Sequence, residues 1–162
     1  MKGAAGEQSM QNGMRTIKSF TVDHLTLMPG LYVSRIDERG GCPVTTFDLR
    51  MTAPGREPVM EMGALHTLEH MGATYLRSVR EDILYFGPMG CRTGFYLLMF
   101  GDLAPEEIRP LLIEMCGWIM AYEGPVPGAR PDQCGNYREH DLPGARVLAE
   151  KYREVLIREQ AG

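Results

Sequence analysis

Residues 61–80 read EMGALHTLEHMGATYLRSVR. Apolar or small residues recur in this stretch at intervals of three or four, which is the period of a helix that buries one face. They are Met62, Leu65, Leu68, Gly72, Leu76 and Val79. The stretch therefore predicts an amphipathic helix, and the segments on either side must supply the surface against which it packs.

Four segments around this helix have the composition of β-strands. Two precede the helix, at residues 32–37 and 44–51, and residues 38–41, ERGG, suit a hairpin turn between them. Two follow it, at residues 83–86 and 93–100. A sheet built from these strands is expected to be mainly antiparallel.

In the second of these strands, at residues 44–51, apolar and charged side chains alternate from residue 47 onward. Phe47, Leu49 and Met51 share one face, while Asp48 and Arg50 point to the other. With the apolar face against the core, we expect Arg50 to face solvent or a cleft.

Two further helices are predicted after the strands. One begins at Pro105 and ends at Gly124, and residues 125–137, rich in proline and glycine, form a loop. Asp141 can then cap a last helix that continues through Val155. This order of elements predicts an α+β fold, a single domain in which a mainly antiparallel sheet packs against helices as an α/β sandwich.

The length, composition and net charge of the chain indicate which class of protein it belongs to. A length of 162 residues with 44% hydrophobic content fits one domain, and we expect a flexible N-terminal tail at residues 1–18 followed by the domain at 19–162. The net charge of -4 without a basic run predicts no nucleic-acid or anionic-lipid partner. No apolar stretch suits a membrane span or a signal peptide, so we expect a cytoplasmic protein.

The residues HTLEH, numbers 66–70, carry the strongest chemical signal. On a helix His66 and His70 lie one turn apart and can chelate one metal ion, while Glu69 lies beside them for proton transfer. The same pattern, read as HxxEH, matches the inverzincin peptidases. Two surface histidines beside a solvated glutamate are the alternative without a metal.

The four cysteines differ in their surroundings, and no CxxC pair occurs. A catalytic metal site needs a third protein ligand and an open position. Cys134, in the loop rich in proline and glycine, is the best candidate, although an inert loop thiol fits as well. Cys91 follows Gly90 and precedes Arg92 at the mouth of a strand, which favours a thiolate for acid/base or nucleophilic use over a spare buried thiol. Cys116 falls on the apolar stripe of its helix and is assigned to the core.

Five segments, in order, resemble the signature segments of the LuxS family of S-ribosylhomocysteine lyases. They are SFTVDH at 19–24, FDLR at 47–50, HTLEH at 66–70, GPMGCRTGFY at 87–96 and QCG at 133–135. The resemblance covers nearly the whole chain from Ser19 and is much more specific than HxxEH alone.

The resemblance implies a reaction and a site. The reaction cleaves the thioether of S-ribosylhomocysteine by two metal-dependent carbonyl shifts and a β-elimination, giving homocysteine and 4,5-dihydroxy-2,3-pentanedione, the precursor of autoinducer-2. The resemblance also implies a homodimer with active sites at the interface. It further implies one Fe²⁺ per subunit, replaceable by Zn²⁺ or Co²⁺. The residues implied are metal ligands at His66, His70 and Cys134, acid/base groups at Glu69 and Cys91, and substrate-positioning groups at Ser19, His24 and Arg50.

The chain departs from the family at one place. Where the family commonly reads Asp-Ile-Ser, this sequence has Tyr85, Phe86 and Gly87. The missing carboxylate is one that the resemblance places near the substrate's amino group. Arg77 lies on about the same helical face as His70 and is a candidate for binding the substrate carboxylate, with a solvated helix arginine as the alternative.

Two other functions compete with the lyase. In a metallopeptidase, Glu69 would activate water and Cys91 would have no role. In a structural metal-binding module, protein ligands would fill all four positions.

Overall fold

A computed structural model of the chain describes residues 10, 11 and 13–162. Its strands are β1 (Met10–Gln11), β2 (Met14–Arg15), β3 (Gly30–Arg39), β4 (Cys42–Arg50), β5 (Ile83–Pro88) and β6 (Gly94–Phe100). Its helices are α1 (Met62–Val79), α2 (Pro105–Ala121) and α3 (Leu142–Ala161), and a short 3₁₀ helix spans Lys18–Phe20. The predicted α+β class is confirmed.

The main sheet has four strands in the order β3-β4-β6-β5, and every neighbouring pair is antiparallel. The turn between β3 and β4 contains Gly40 and Gly41, both with positive φ, which is the backbone that a tight hairpin requires. In the pairing of β4 with β6, Arg50 stands opposite Gly94. This register brings the end of β4 to the turn that precedes β6.

The core lies between one face of the sheet and the helices. The alternating residues Phe47, Leu49 and Met51 are buried, as their spacing predicts. α1 packs closely on β5, because a side chain at Gly72 would collide with the ring of Phe86. The buried residues of α1 are Ala64, Leu65, Thr67, Leu68, Met71, Gly72 and Leu76. Burial of each large apolar side chain contributes about 1.5–3 kcal/mol, so this face fixes α1 against the sheet.

The observed boundaries differ from the predicted ones by a few residues. β5 continues to Pro88 because Gly87 and Pro88 pair with β6, which composition alone did not indicate. α2 ends at Ala121, before the predicted stop at Gly124. The cap of α3 is confirmed, since the Asp141 carboxylate accepts a hydrogen bond from the Gly144 amide.

The predicted tail lies partly outside the described residues, which omit 1–9 and 12. In its described part, β1 and β2 pair antiparallel. The division between a tail at 1–18 and a domain at 19–162 stays a prediction. Among the described helices, none has the length and apolar content needed to cross a membrane.

Candidate functional site

Four side chains from distant parts of the sequence meet beside α1. The possible ligand atoms of His66, His70, Cys134 and His140 all lie within 4.8 Å of one another. α1 supplies the first two, the loop before α3 supplies Cys134, and His140 lies just before the cap of α3. The three residues proposed from the sequence as metal ligands are thus brought together, and a fourth donor is added.

Backbone carbonyls fix the rings of the two α1 histidines. His66 Nδ1 lies 2.8 Å from the carbonyl oxygen of Glu139, and His70 Nδ1 lies 2.7 Å from that of Pro127. Because a carbonyl only accepts hydrogen bonds, each Nδ1 carries the proton and each Nε2 keeps its lone pair free. A hydrogen bond from Nδ1 to a backbone carbonyl is typical of metal-binding histidines.

The loop that carries Cys134 passes close to the ring of His70. Gly128 has φ of 74°, and a Cβ at this position would lie 2.9 Å from His70 Nδ1, so the backbone needs glycine to pass the ring. Cys134 Sγ accepts a hydrogen bond from the Asn136 amide at 3.4 Å. This hydrogen bond helps to orient the sulfur, and the thiolate is the form in which a cysteine binds metal.

The donor set and its spacing fit a metal ion. His66 Nε2 and Cys134 Sγ are 3.5 Å apart. Ligands on a tetrahedral ion, with bonds of about 2.0 Å to nitrogen and about 2.3 Å to sulfur, are separated by about 3.5 Å. Two imidazoles and one thiolate suit Zn²⁺, Fe²⁺ or Co²⁺ better than a hard cation such as Mg²⁺.

His140 was not among the site residues predicted from the sequence. Its Nδ1 lies 3.0 Å from Thr67 Oγ1, and its Nε2 is buried without a hydrogen-bond partner in the described part of the chain. Burial and then the nearby charges of His66 and His70 lower its pKa. No spacing rule links a residue before a helix cap to a histidine pair on another helix, so the sequence carried no signal for it.

Ring orientation separates His140 from the other histidines. His66 and His70 are edge-to-face, with planes 87° apart. His66 and His140 are stacked, with centroids 4.1 Å apart and planes only 20° apart. The lone pair of an imidazole nitrogen lies in the plane of its ring. Two stacked rings have nearly parallel planes, so their lone pairs do not point to one common position nearby. His66 and His140 are therefore poorly arranged to hold one ion together, and a site formed by His66, His70 and Cys134 would keep a coordination position open.

Glu69 stands next to His70 on α1. Its side chain is half-buried. Within residues 13–162, no hydrogen bond or ion pair of its carboxylate is seen. The carboxylate is therefore available for proton transfer beside the histidine pair.

A second group of predicted site residues lines a separate cavity of about 270 Å³. Ser19, His24, Arg50 and Cys91 all contribute to it. The remaining lining residues are Phe20, Met89, Gly90 and Tyr96. None of the four donors of the histidine cluster, nor Glu69 or Arg77, lines this cavity, so the predicted site falls into two groups.

Arg50 lies at the buried floor of this cavity. Of the two environments predicted for it, solvent or a cleft, it therefore has the cleft. It is only 3% exposed and makes a two-point ion pair with Asp48, from Nε to Oδ1 at 3.1 Å and from Nη2 to Oδ2 at 2.6 Å. Its remaining nitrogen, Nη1, donates to Thr93 Oγ1 at 2.7 Å. Burial raises the pKa of Asp48 even though Arg50 opposes the shift.

The environment of Cys91 favours the thiolate, for a reason that differs from the expected one. Burial raises its pKa, but hydrogen bonds from Thr93 and the charge of Arg50 together lower it below the ordinary value. The expectation that Arg92 supplies the positive charge was wrong. The Arg92 guanidinium instead donates to the carbonyl of Met60 at 3.4 Å.

Arg77 lies in neither group. Its Nη2 donates to the carbonyl of Leu84 at 2.7 Å, which ties the last turn of α1 to β5. Neither interpretation of Arg77 from the sequence included this bond, and its binding of a substrate carboxylate stays a prediction.

In the segment 85–87, the side chain of Tyr85 lies over Gly87. The Tyr85 phenol occupies the space in which a Cβ at residue 87 would lie. Residues 85 and 87 share a face of the strand, and glycine at the second position leaves room for this orientation of the tyrosine.

All four cysteines carry free thiols. Cys116 is buried, and burial raises its pKa to about 12, which confirms its assignment to the core. Cys42 is exposed at the start of β4.

Comparison with known proteins identifies the family of the chain. A family model described as S-ribosylhomocysteinase (LuxS) matches residues 17–161. The S-ribosylhomocysteine lyase of Phocaeicola vulgatus is 56% identical over 147 residues, which cover 88% of this chain and 91% of the relative. The lyase of Clostridium acetobutylicum is 52% identical over 146 residues, covering 88% and 92%. The lyase of Porphyromonas gingivalis is 52% identical over 147 residues, covering 88% and 92%. The chain therefore belongs to the S-ribosylhomocysteinase (LuxS) family.

Proposed function

We propose that this protein is a carbon–sulfur lyase that converts S-ribosylhomocysteine to homocysteine and 4,5-dihydroxy-2,3-pentanedione, the precursor of autoinducer-2. The observation that carries the proposal is that one chain holds both a cluster of three histidines and one cysteine and a thiol of lowered pKa beside a buried arginine. The names of the relatives support the same substrate.

One metal ion per subunit would be held by His66, His70 and Cys134. We propose Fe²⁺ as the native ion, with Zn²⁺ or Co²⁺ able to replace it. A bound ion supplies a Lewis acid for the carbonyl oxygen of the sugar. The Glu139 and Pro127 carbonyls hold the two rings in the tautomer that this binding needs.

Glu69 and Cys91 would carry the protons. Each carbonyl shift removes a proton from the hydroxyl-bearing carbon next to the carbonyl and returns one to the former carbonyl carbon. Elimination then removes a proton beside the new carbonyl, and homocysteine leaves as the thiol from the adjacent carbon. Water is not consumed. Arg50 would donate to the sugar hydroxyls, with Ser19 and His24 positioning the substrate.

We infer that the working unit is a homodimer whose active sites lie at the interface. Two features support this. The residues assigned to the reaction fall into two groups within one chain. Phe20, which lines the cavity, and Leu25, next to His24, are 75% and 80% exposed, and a partner surface could bury their apolar area. A second subunit would both cover these residues and bring the two groups together.

Neither competing function has comparable support. In a metallopeptidase, the hydrogen bonds that connect Arg50 to Cys91 through Thr93 would have no role. A structural metal module needs a fourth protein ligand, and the stacking of His140 on His66 opposes one. We also place the protein in the cytoplasm, because coordination and proton transfer both require reduced thiols.

Incubation with S-ribosylhomocysteine tests the proposal most directly. We expect release of one thiol per substrate, detected with a thiol reagent, and no cleavage of a mixed peptide substrate by the same preparation. Thiol release should disappear on treatment with a chelator and return when Fe²⁺ or Co²⁺ is added. Peptide cleavage without thiol release would instead establish the metallopeptidase.

The metal ligands can be tested separately by elemental analysis. Purified wild-type protein should contain about one ion per chain. The double variant His66→Ala, His70→Ala should contain close to none, because a single thiolate seldom retains an ion against competition. A matched control is His24→Ala, which removes a histidine outside the cluster and should leave the metal content unchanged. Full retention in the double variant would disprove the ligand assignment.

A further inference from the structure

We propose that Thr93 is a positioning residue that links the Cys91 thiol to the Arg50 guanidinium. Thr93 Oγ1 lies 2.7 Å from Arg50 Nη1 and 3.1 Å from Cys91 Sγ. The role of Cys91 as an acid/base group rests on the proposed function, whereas the link itself rests on these contacts.

The direction of the two hydrogen bonds follows from what each group can do. A guanidinium only donates, so Thr93 Oγ1 accepts from Arg50. The single hydroxyl proton of Thr93 is then free to be donated to Cys91 Sγ. A donor at the sulfur stabilises the thiolate, and the charge on Arg50 polarises the hydroxyl that makes the donation.

The Thr93 main chain is held in place by two hydrogen bonds to its carbonyl. Its carbonyl accepts hydrogen bonds from the amides of Met51 and Thr52, at 2.9 and 3.1 Å. The residue is 5% exposed and stands immediately before β6. With the backbone fixed and the side chain buried, the hydroxyl has little freedom to leave the position between Arg50 and Cys91.

Thr93 Oγ1 connects Arg50 to Cys91 by hydrogen bonds, and the other charged groups near Cys91 are engaged elsewhere. Asp48 occupies Nε and Nη2 of Arg50, so only Nη1 is directed to Thr93. His24 lines the same cavity, and its Nδ1 donates to the Val22 carbonyl. Arg92, next in sequence, is turned to Met60.

The test compares variants that remove or keep the Thr93 hydroxyl. Thr93→Val and Thr93→Ala remove it, Thr93→Ser keeps it, and Thr52→Val removes a buried threonine hydroxyl that has no partner within residues 13–162. Alkylation of Cys91 by iodoacetamide is followed against pH by mass spectrometry of the peptide that contains it. Folding of each variant is checked by its metal content and thermal transition, and the Ala variant serves if the Val variant does not fold.

Loss of the hydroxyl should move the alkylation midpoint of Cys91 to higher pH and slow alkylation near neutral pH roughly tenfold, the consequence of a pKa change of about one unit. Thr93→Ser and Thr52→Val should match the wild type. Superimposable profiles for a folded Thr93→Val or Thr93→Ala variant and the wild type would overturn the proposal.

The lyase reaction gives a second readout. Thr93→Val should lower kcat, shift its pH profile to higher pH and leave KM nearly unchanged, because the substrate contacts of Arg50 and Ser19 remain. If the alkylation profiles shift as expected but even the wild type releases no thiol from S-ribosylhomocysteine, then the proposed function fails while the role of Thr93 stands.

Discussion

Replacing Cys91 with alanine should leave the metal content at the wild-type level and reduce thiol release from S-ribosylhomocysteine by roughly 10²-fold to 10⁴-fold, the usual contribution of a positioned acid/base group. The thiol lies in the cavity with Arg50, apart from the cluster that would hold the ion. Its removal deprives the substrate carbons of a proton carrier without removing a ligand. Elemental analysis and a steady-state assay on the same preparation check both halves of the result.

The matching variant Cys134→Ala should fail in the opposite way. Cys134 Sγ lies 3.5 Å from His66 Nε2, at the separation expected for two ligands of one ion. Without it, two histidines on one helix should lose the ion during purification, and activity should fall in proportion to metal content. Excess Co²⁺ should restore part of the activity of Cys134→Ala and none of that of Cys91→Ala.

Cys116→Ala is the control for both, because this thiol is buried in α2 away from either group. We expect normal metal content and turnover with some loss of stability. Normal turnover by Cys91→Ala, or full metal in Cys134→Ala, would contradict the assignment of roles and reopen the competing functions.

The parts of the site that the sequence predicted depend on local spacing. His66, Glu69 and His70 follow from the period of α1, which the buried face of that helix confirms. In the same way, the alternation along β4 predicted that Arg50 faces solvent or a cleft, and it lines the cavity. Strand ends were less predictable, because Gly87 and Pro88 join β5 only through their pairing with β6.

The parts that the sequence missed depend on contacts between distant residues. His140 reaches the cluster because Thr67 Oγ1 on α1 forms hydrogen bonds with both the His140 ring and the Asp141 amide. Arg50 rather than the adjacent Arg92 acts on Cys91, because the register of β4 with β6 places Arg50 beside Thr93. Closeness in sequence was a poor guide to which cation would approach the thiol.

The division of the site into two groups leads to a prediction for mixed subunits. Cys91→Ala and His70→Ala should each be nearly inactive alone. If every active site combines the cavity of one subunit with the metal cluster of the other, then a dimer made of one subunit of each variant contains one site with both defects and one site with none. If each site lies within a single chain, then both sites of this mixed dimer are defective.

We therefore expect activity to reappear when the two inactive variants are mixed and allowed to exchange subunits. Random exchange should restore about a quarter of the wild-type activity per subunit, because about half of the dimers are mixed and each of these has one intact site. Light scattering should show a dimer before and after exchange. A mixture of Cys91→Ala with the double variant Cys91→Ala, His70→Ala is the control and should stay inactive, since every cavity in it lacks the thiol. Proven subunit exchange without recovery of activity would place the complete site in one chain and contradict the shared interface.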